Sequence, residues 1–343
     1  MMKNGDLTLN QILAAADWVD VRAMAAARMA QEDFKEATLG HETLGRLNAL
    51  GIKVIADLGS DAVDRILADE VQFTWLEREA NRGVVAEEAT KVFFDRTGRR
   101  IPPQGLTGAV KDANRDFHLV QPTLQYDLAL ERLQNVFRIS NAGVSLDQFE
   151  NEIGDLCQRI EKNEQLSNLL KGVYLPLVIL PAVITDHGTD IEQRLLPAVE
   201  GSYKAQFPDR KFVNHRKGEL AQQVKVVHDS HTRLLAEIAK GPVIGLYFPN
   251  SLQGFSIPAD REQMTGLPEC FSLSGAVDTL TALVMYPDVL ARDWNTPGLD
   301  MAALQWQSQE CSLCAKADDV KLEFDYRNLD ANGYYSGGMF VRR

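Results

Sequence analysis

The segment Thr185-Asp186-His187-Gly188-Thr189-Asp190 sets a carboxylate beside an imidazole, where an apolar run ends and a helix-forming stretch begins. Such a pair can share a proton or ligate a metal, and a helix N-terminus next to it can receive an anion. In open α/β sheets, strand ends of this kind are where ligands bind. Asp186 and His187 are therefore the candidate catalytic residues. Capping alone also selects Asp and Thr at a strand-to-helix junction, and that is the plainer use of the same side chains.

Following a hydrophobic strand, Asp186-His187-Gly188 resembles one metal-binding element of the alkaline phosphatase superfamily. The resemblance implies a nucleophile and a further aspartate on an earlier strand. The residues ahead of Val173 read as helical, so that activity is not carried over, and neither a metal nor a cofactor is expected.

Arg210, Lys211 and Arg216 are the candidate anion-binding residues. They stand with His215 and Lys217 around Phe212 and Val213, and a cluster of this kind in an acidic chain suits a phosphate or a carboxylate. Arg96, Arg99, Arg100, Lys111 and Arg115 could join them in space. Pairing with acidic neighbours on a solvated loop is the competing reading. His228-x-x-His231 would place two imidazoles on one helix face, but it lacks the His-Glu-x-x-His spacing of a metalloprotease. Cys311-x-x-Cys314 is half of a zinc motif. Cys157 and Cys270 do not supply the other half, and the pair falls near the end of an expected helix, so buried small hydrophobes are favoured.

The chain has 343 residues and a net charge of 36 − 48 = −12. That balance disfavours nucleic acid as a partner. Arg46 to Leu58 resembles half of a helix-hairpin-helix element. It lies within residues 1–95, whose charge is 10 − 17 = −7, so plain helix packing is preferred. No apolar stretch reaches the length of a membrane span, and four cysteines do not make a disulfide framework. A reducing cytoplasm is the expected compartment. The phosphate-binding loop, the dinucleotide glycine fingerprint and the serine-hydrolase pentapeptide are all absent from the sequence.

Four segments must position these residues. Residues 1–95 read as a helical domain, ending in a helix from about Val71 to Asp95. Residues 96–122, rich in Pro and Gly and carrying 5 − 2 = +3, read as a linker. Residues 123–171 read as a helical hairpin. Tyr126, Leu130, Leu133 and Phe137 line its first helix. A Ser145/Gln148 capping box opens the second, with Leu146, Phe149, Ile153, Leu156 and Ile160 at helical spacing. Residues 172–343 read as an α/β domain. Its expected parts are a buried strand over Val173–Ile184, helices over Thr189–Phe207 and Lys217–Lys240, a strand over Val243–Phe248, and a helix capped by Ser272 or Ser274 that runs through Val277 to Leu290. The tail alternates at Leu322, Phe324 and Tyr326, and Asn332-Gly333 suggests that it closes as a hairpin.

The fold expected is α-rich and multi-domain: an N-terminal helical domain, a helical hairpin, and a C-terminal α/β domain with a mixed sheet and a terminal β-hairpin. The preferred function is a non-enzymatic cytoplasmic interaction or assembly component, with a protein partner or a second copy of itself. The alternative is an enzyme or small-anion binder at Asp186/His187, with a pocket joining that loop to Pro249, Asn250 and Ser251.

Overall fold

A computed structural model of the chain describes residues 74–76, 83–85, 92–264 and 266–343. The helices expected before residue 71, including the Arg46–Leu58 element, lie outside the described residues. The chain divides into two units, Met1–Phe93 and Phe94–Arg343. Described in the first are strands β1 (Thr74–Leu76) and β2 (Gly83–Val85), an antiparallel pair with Trp75 opposite Val84. They replace the single helix expected from Val71 to Asp95. The spacing of Phe73, Leu76, Ala80 and Val84 fits helical period, but Gly83 ends any helical run.

The second unit is an α/β fold rather than an α-rich one. Its eight-stranded mixed sheet runs in the order β3 (Leu175–Ile179), β6 (Val243–Gln253), β12 (Tyr335–Arg342), β8 (Gly298–Asp300), β10 (Cys311–Ala317), β11 (Lys321–Asn328) and β4 (Lys211–Asn214). β7 (Phe271–Leu273) also pairs with β12, and β5 (Val224–Val226) pairs with β9 (Leu304–Trp306) in a second sheet. The helix expected around Cys311 is thus a strand. Its partner β11 alternates Leu322, Phe324 and Tyr326 and pairs along the whole of it, so cross-strand packing decides a segment of weak intrinsic preference.

The expected terminal hairpin does not form. β11 and β12 are strands, but β8 and β10 lie between them, and β12 enters the centre of the sheet between β6 and β8. The Asn332-Gly333 turn redirects the chain without pairing its flanks. The hairpin that does form is β10–β11.

Helices cover the sheet. Ala276–Met285 is buried at every position, Asp278, Thr279 and Thr281 included, and packs on β3, on Tyr126–Phe137 and on Leu196–Gln206. The hairpin helices Tyr126–Phe137 and Leu146–Glu161 bury Leu130, Leu133, Phe149, Ile153, Leu156 and Ile160. Ser145 Oγ accepts from Gln148 N at 3.1 Å. The stretch read as a linker is woven into this unit: Arg100 N donates to Ser251 O, Lys111 N to Gly254 O, and Ala109 O accepts from Ser256 N, each at 2.8 Å.

Two expected helices change. Lys217–Lys240 is a turn, then β5, then the helix Asp229–Ile238. Gly218 and Gln222 adopt φ of 80° and 62°, a left-handed backbone that stops a helix. The helix expected from a Ser272 or Ser274 cap starts instead at Gly275, whose N–H donates to Asp278 Oδ1 at 2.9 Å, while Ser272 lies in β7.

Candidate functional site

Asp186 is a helix cap. Its carboxylate accepts from Thr189 N at 2.8 Å, from Thr189 Oγ1, and from Gln222 N at 3.1 Å. The Thr189 hydroxyl bond above all holds its pKa below the ordinary carboxylate range. His187 is half-buried, and burial lowers its pKa against the opposing charges of Asp190 and Asp186. Gly188 is explained by packing. A Cβ there would lie 1.7 Å from Leu220 O, so only glycine permits this approach.

The segments expected to frame a pocket with Asp186 are far from it along the strands. The chain reaches Asp186 from Ile179, which pairs with Val243 at one end of β6. Pro249, Asn250 and Ser251 lie inside β6, beyond the register of Leu175 with Tyr247. The two segments therefore leave the β3–β6 pair at opposite ends.

The basic residues are dispersed. Arg210 lies 4.2 Å over the Phe207 ring and donates to the carbonyl of Arg292. Lys211 opens β4 and is exposed. Arg216 pairs with Asp325 at 2.9 Å and with Glu219 at 3.2 Å, against the rings of Trp306 and Tyr326. Arg99 instead donates to Gln253 O and Lys111 O, each at 2.7 Å. Its anchor β6 and the Arg216 partner strand β11 are four steps apart in the sheet, roughly 19 Å at strand spacing.

His228 caps the helix Asp229–Ile238 through Ser230 N. His231 is fully buried, with Nδ1 3.2 Å from Leu273 O. A carbonyl can only accept, so Nδ1 carries the hydrogen. Asp278 Oδ1 lies 4.0 Å from that nitrogen, too far for a hydrogen bond. Burial drives the His231 pKa down to about 3, so the ring is neutral at ordinary pH. Cys314 is buried in β10 and Cys311 is partly exposed. Among the described residues, no group of three or more His, Cys, Asp or Glu is arranged to hold a metal.

Two features carry chemistry that the sequence motifs do not signal. The first is an aromatic cluster at one end of the sheet. Phe117 stacks on Tyr334 at 4.5 Å between ring centres and meets the edge of Trp294 at 5.9 Å. Three separate loops supply these rings. Gln253 fastens two of them: its Nε2 donates to Phe117 O at 2.8 Å and to Gly333 O at 2.9 Å. Arg210 fastens the third through Arg292 O, and Gly298 N donates to Tyr334 O at 2.9 Å. Although so held, Trp294 and Tyr334 remain 51% and 47% exposed.

The second feature surrounds the glycines at the middle of β12. Gly337 pairs with Leu252 and Met339 with Phe248. β12 thus passes one residue, Gly338, while β6 passes Pro249, Asn250 and Ser251, a bulge of the kind that re-aims side chains. A Cβ on Gly337 would lie 2.3 Å from Asp260 Oδ2, and one on Gly338 would lie 2.7 Å from Tyr247 Oη and 2.9 Å from Ser274 Oγ. Asp300 pairs with Gly337 across β8 and with Cys314 across β10. Paired residues share a sheet face, so Asp260 and Asp300 lie over the same face. Both are fully buried, and none of their four carboxylate oxygens has a hydrogen-bond partner among the described residues. Arg327 Nε lies 3.4 Å from Asp300 Oδ1.

No family model, curated protein or solved structure matches the chain.

Proposed function

We propose that residues 94–343 form a protein-interaction module whose contact surface is the aromatic end built by Phe117, Trp294 and Tyr334. The observation that carries this reading is a combination of exposure and rigidity. Trp294 and Tyr334 stay exposed while hydrogen bonds from Gln253 and Arg210 to backbone carbonyls tie down the loops that carry them. Trp and Tyr dominate the energetics of protein interfaces, and rings already ordered lose little freedom on binding. The partner is a protein surface, either of another chain or of a second copy. All four cysteines are free, which supports a reducing cytoplasm as the setting. No helix among the described residues is long and apolar enough to cross a membrane.

Sedimentation of the full chain over a range of concentrations, with crosslinked capture from cell extract, tests the proposal. The expected result is self-association or a captured protein partner, weakened by Trp294→Ala about 30-fold, as for a central interface aromatic. A chain that stays monomeric and captures no partner sensitive to Trp294→Ala would overturn it.

A further inference from the structure

The faces of the sheet around Gly337 hold an electrostatic arrangement unlike anything on the surface of the molecule. Asp260 comes from the helix Ile257–Glu262, where Ser256 Oγ caps Ala259 N. The missing Gly337 side chain leaves the space that its carboxylate occupies. Asp300 comes from β8, in register with the same glycine. These are two fully buried carboxylates on one sheet face, none of whose four oxygens accepts a hydrogen bond among the described residues.

Charged and titratable groups face them from four elements. β11 contributes Arg327, which also lies 4.4 Å over the ring of Tyr335 from β12. β10 contributes Cys314 and β6 contributes Tyr247, both neutral thiol or phenol groups within electrostatic reach of Asp300. From the helix itself comes Arg261, whose guanidinium donates to Ala302 O and Leu304 O, both at 2.9 Å. Arg327 is thus the cation in closest contact with the pair. The Arg261 charge also favours an ionised Asp260, yet no donor among the described residues bonds either oxygen of that carboxylate, and a carboxylate ionised and buried without a hydrogen bond is costly. Asp300 has Arg327 in ion-pair contact at 3.4 Å.

We propose that Asp260 and Asp300 carry one proton for the pair, and that this proton latches the Ile257–Glu262 helix onto the sheet at the Gly337 step. Asp300 is the ionised partner, because Arg327 touches it. Asp260 is the protonated one. Burial, and then the charge of Asp300, pushes the Asp260 pKa well above the ordinary range, while burial lifts Asp300 only to about 6 against Arg327. The folded state therefore keeps a proton that the unfolded chain has released. The latch is complete below the unfolded carboxylate value near about 4 and weakens as pH rises through the folded value. Its loss sets two like charges against one sheet face and frees the helix locally, as a sub-global opening.

Amide hydrogen exchange of the full chain reads the latch directly. Protection of residues 257–262, corrected for intrinsic exchange at each pH, is expected to fall about tenfold or more as pH rises from about 7, where Asp300 is already ionised, through the folded Asp260 value, one pKa unit of linkage being worth a factor of ten. In Asp260→Asn, which keeps the neutral shape, the same profile is expected to be flat. The infrared carboxylic C=O stretch of aspartate-labelled protein supplies a second readout. Above about pH 7, where Asp300 is ionised, wild type is expected to show one protonated aspartate beyond the signal removed by Asp278→Asn. A flat wild-type profile, or an Asp260→Asn profile as steep as wild type, overturns the proposal. If Asp260→Asn does not fold, absence of that extra protonated aspartate in wild type overturns it instead.

Discussion

The side-chain amide of Gln253 donates to the carbonyl of Gly333 at 2.9 Å while reaching Phe117 O at 2.8 Å. One buried amide thus ties two loops that are far apart in sequence and holds their aromatic rings against each other. Gln253→Ala is expected to leave these carbonyls without that donor and to cost about 1–3 kcal/mol of stability. Gln253→Glu should cost more, because it turns a donor into an acceptor facing carbonyls. Denaturant unfolding measures the loss. Acrylamide quenching, with Trp294→Phe as the reference that isolates Trp294, should report a looser ring in both variants.

Gly337 has no room for a methyl group. Gly337→Ala would set a Cβ 2.3 Å from Asp260 Oδ2, and the forced shift is expected to cost about 1–3 kcal/mol. Gly241, around which nothing lies within 4 Å, is the control. Gly241→Ala should change stability by less than about 1 kcal/mol. A double-mutant cycle with Asp260→Ala should show coupling, because removing the carboxylate relieves the clash. Additive effects would place the cost of Gly337→Ala somewhere other than this contact.

Asp186 is expected to behave as a cap. Asp186→Ala should lose about 1–2 kcal/mol, and Asp186→Asn should recover much of it, because an amide oxygen still accepts from Thr189 N. Equal losses for both variants would mean that the negative charge, rather than the cap, is what matters at this position.

Buried Asp278 and His231 should shape stability in opposite pH ranges. Burial raises the Asp278 pKa to about 7. The folded state therefore holds a proton that the unfolded chain loses near about 4, and stability falls as pH rises between the two values. Burial lowers His231 to about 3, so its contribution is complete above about 6.5 and is lost as pH falls toward the folded value. Thermal unfolding across pH should show Asp278→Asn flattening the limb between acid and neutral pH where stability declines. His231→Gln should flatten the acid limb. Each effect is expected to amount to no more than a few kcal/mol.

Thiol labelling separates the cysteines. Cys157, Cys270 and Cys311 are partly exposed, and Cys314 is buried with its thiol pKa pushed up by burial. Mass spectrometry should find up to three modified thiols in the native protein and the fourth only after unfolding. Native modification of Cys314 would mean that β10 opens at this position.

Some of the fold is legible in the residues. Leu175–Ile179 announces itself as an uninterrupted apolar run and is buried at every position. Ser145, Phe149 and Ile153 mark a helix start and its inner face, and each plays that part. β10 is not legible. Cys311-Ser312-Leu313-Cys314 has no β-branched residue, and its pairing with β11 on one side and β8 on the other makes it a strand. Leu220 and Val224 have helical spacing, but the left-handed turn at Gln222 lies between them. Asp186 stands out because the junction demands a cap, and it supplies one to Thr189.

The aromatic end escapes any spacing rule, because Phe117, Trp294 and Tyr334 come from distant loops. Asp260 and Asp300 look like surface residues by type, since isolated carboxylates are almost never fully buried. The one available signal was the Gly337-Gly338 doublet, which marks a close approach to a strand that otherwise reads as ordinary.

The position of β12 has a consequence for biosynthesis. β3 and β6 form one flank of the sheet, and β8, β10, β11 and β4 form the other; the strand that joins them comes last in chain order among the described residues. A nascent chain that has not yet released residues 335–342 from the ribosome holds two half-sheets with open inner edges. Such edges recruit foreign strands, and joins so distant in sequence form slowly. Folding of the sheet should therefore complete only after those residues emerge.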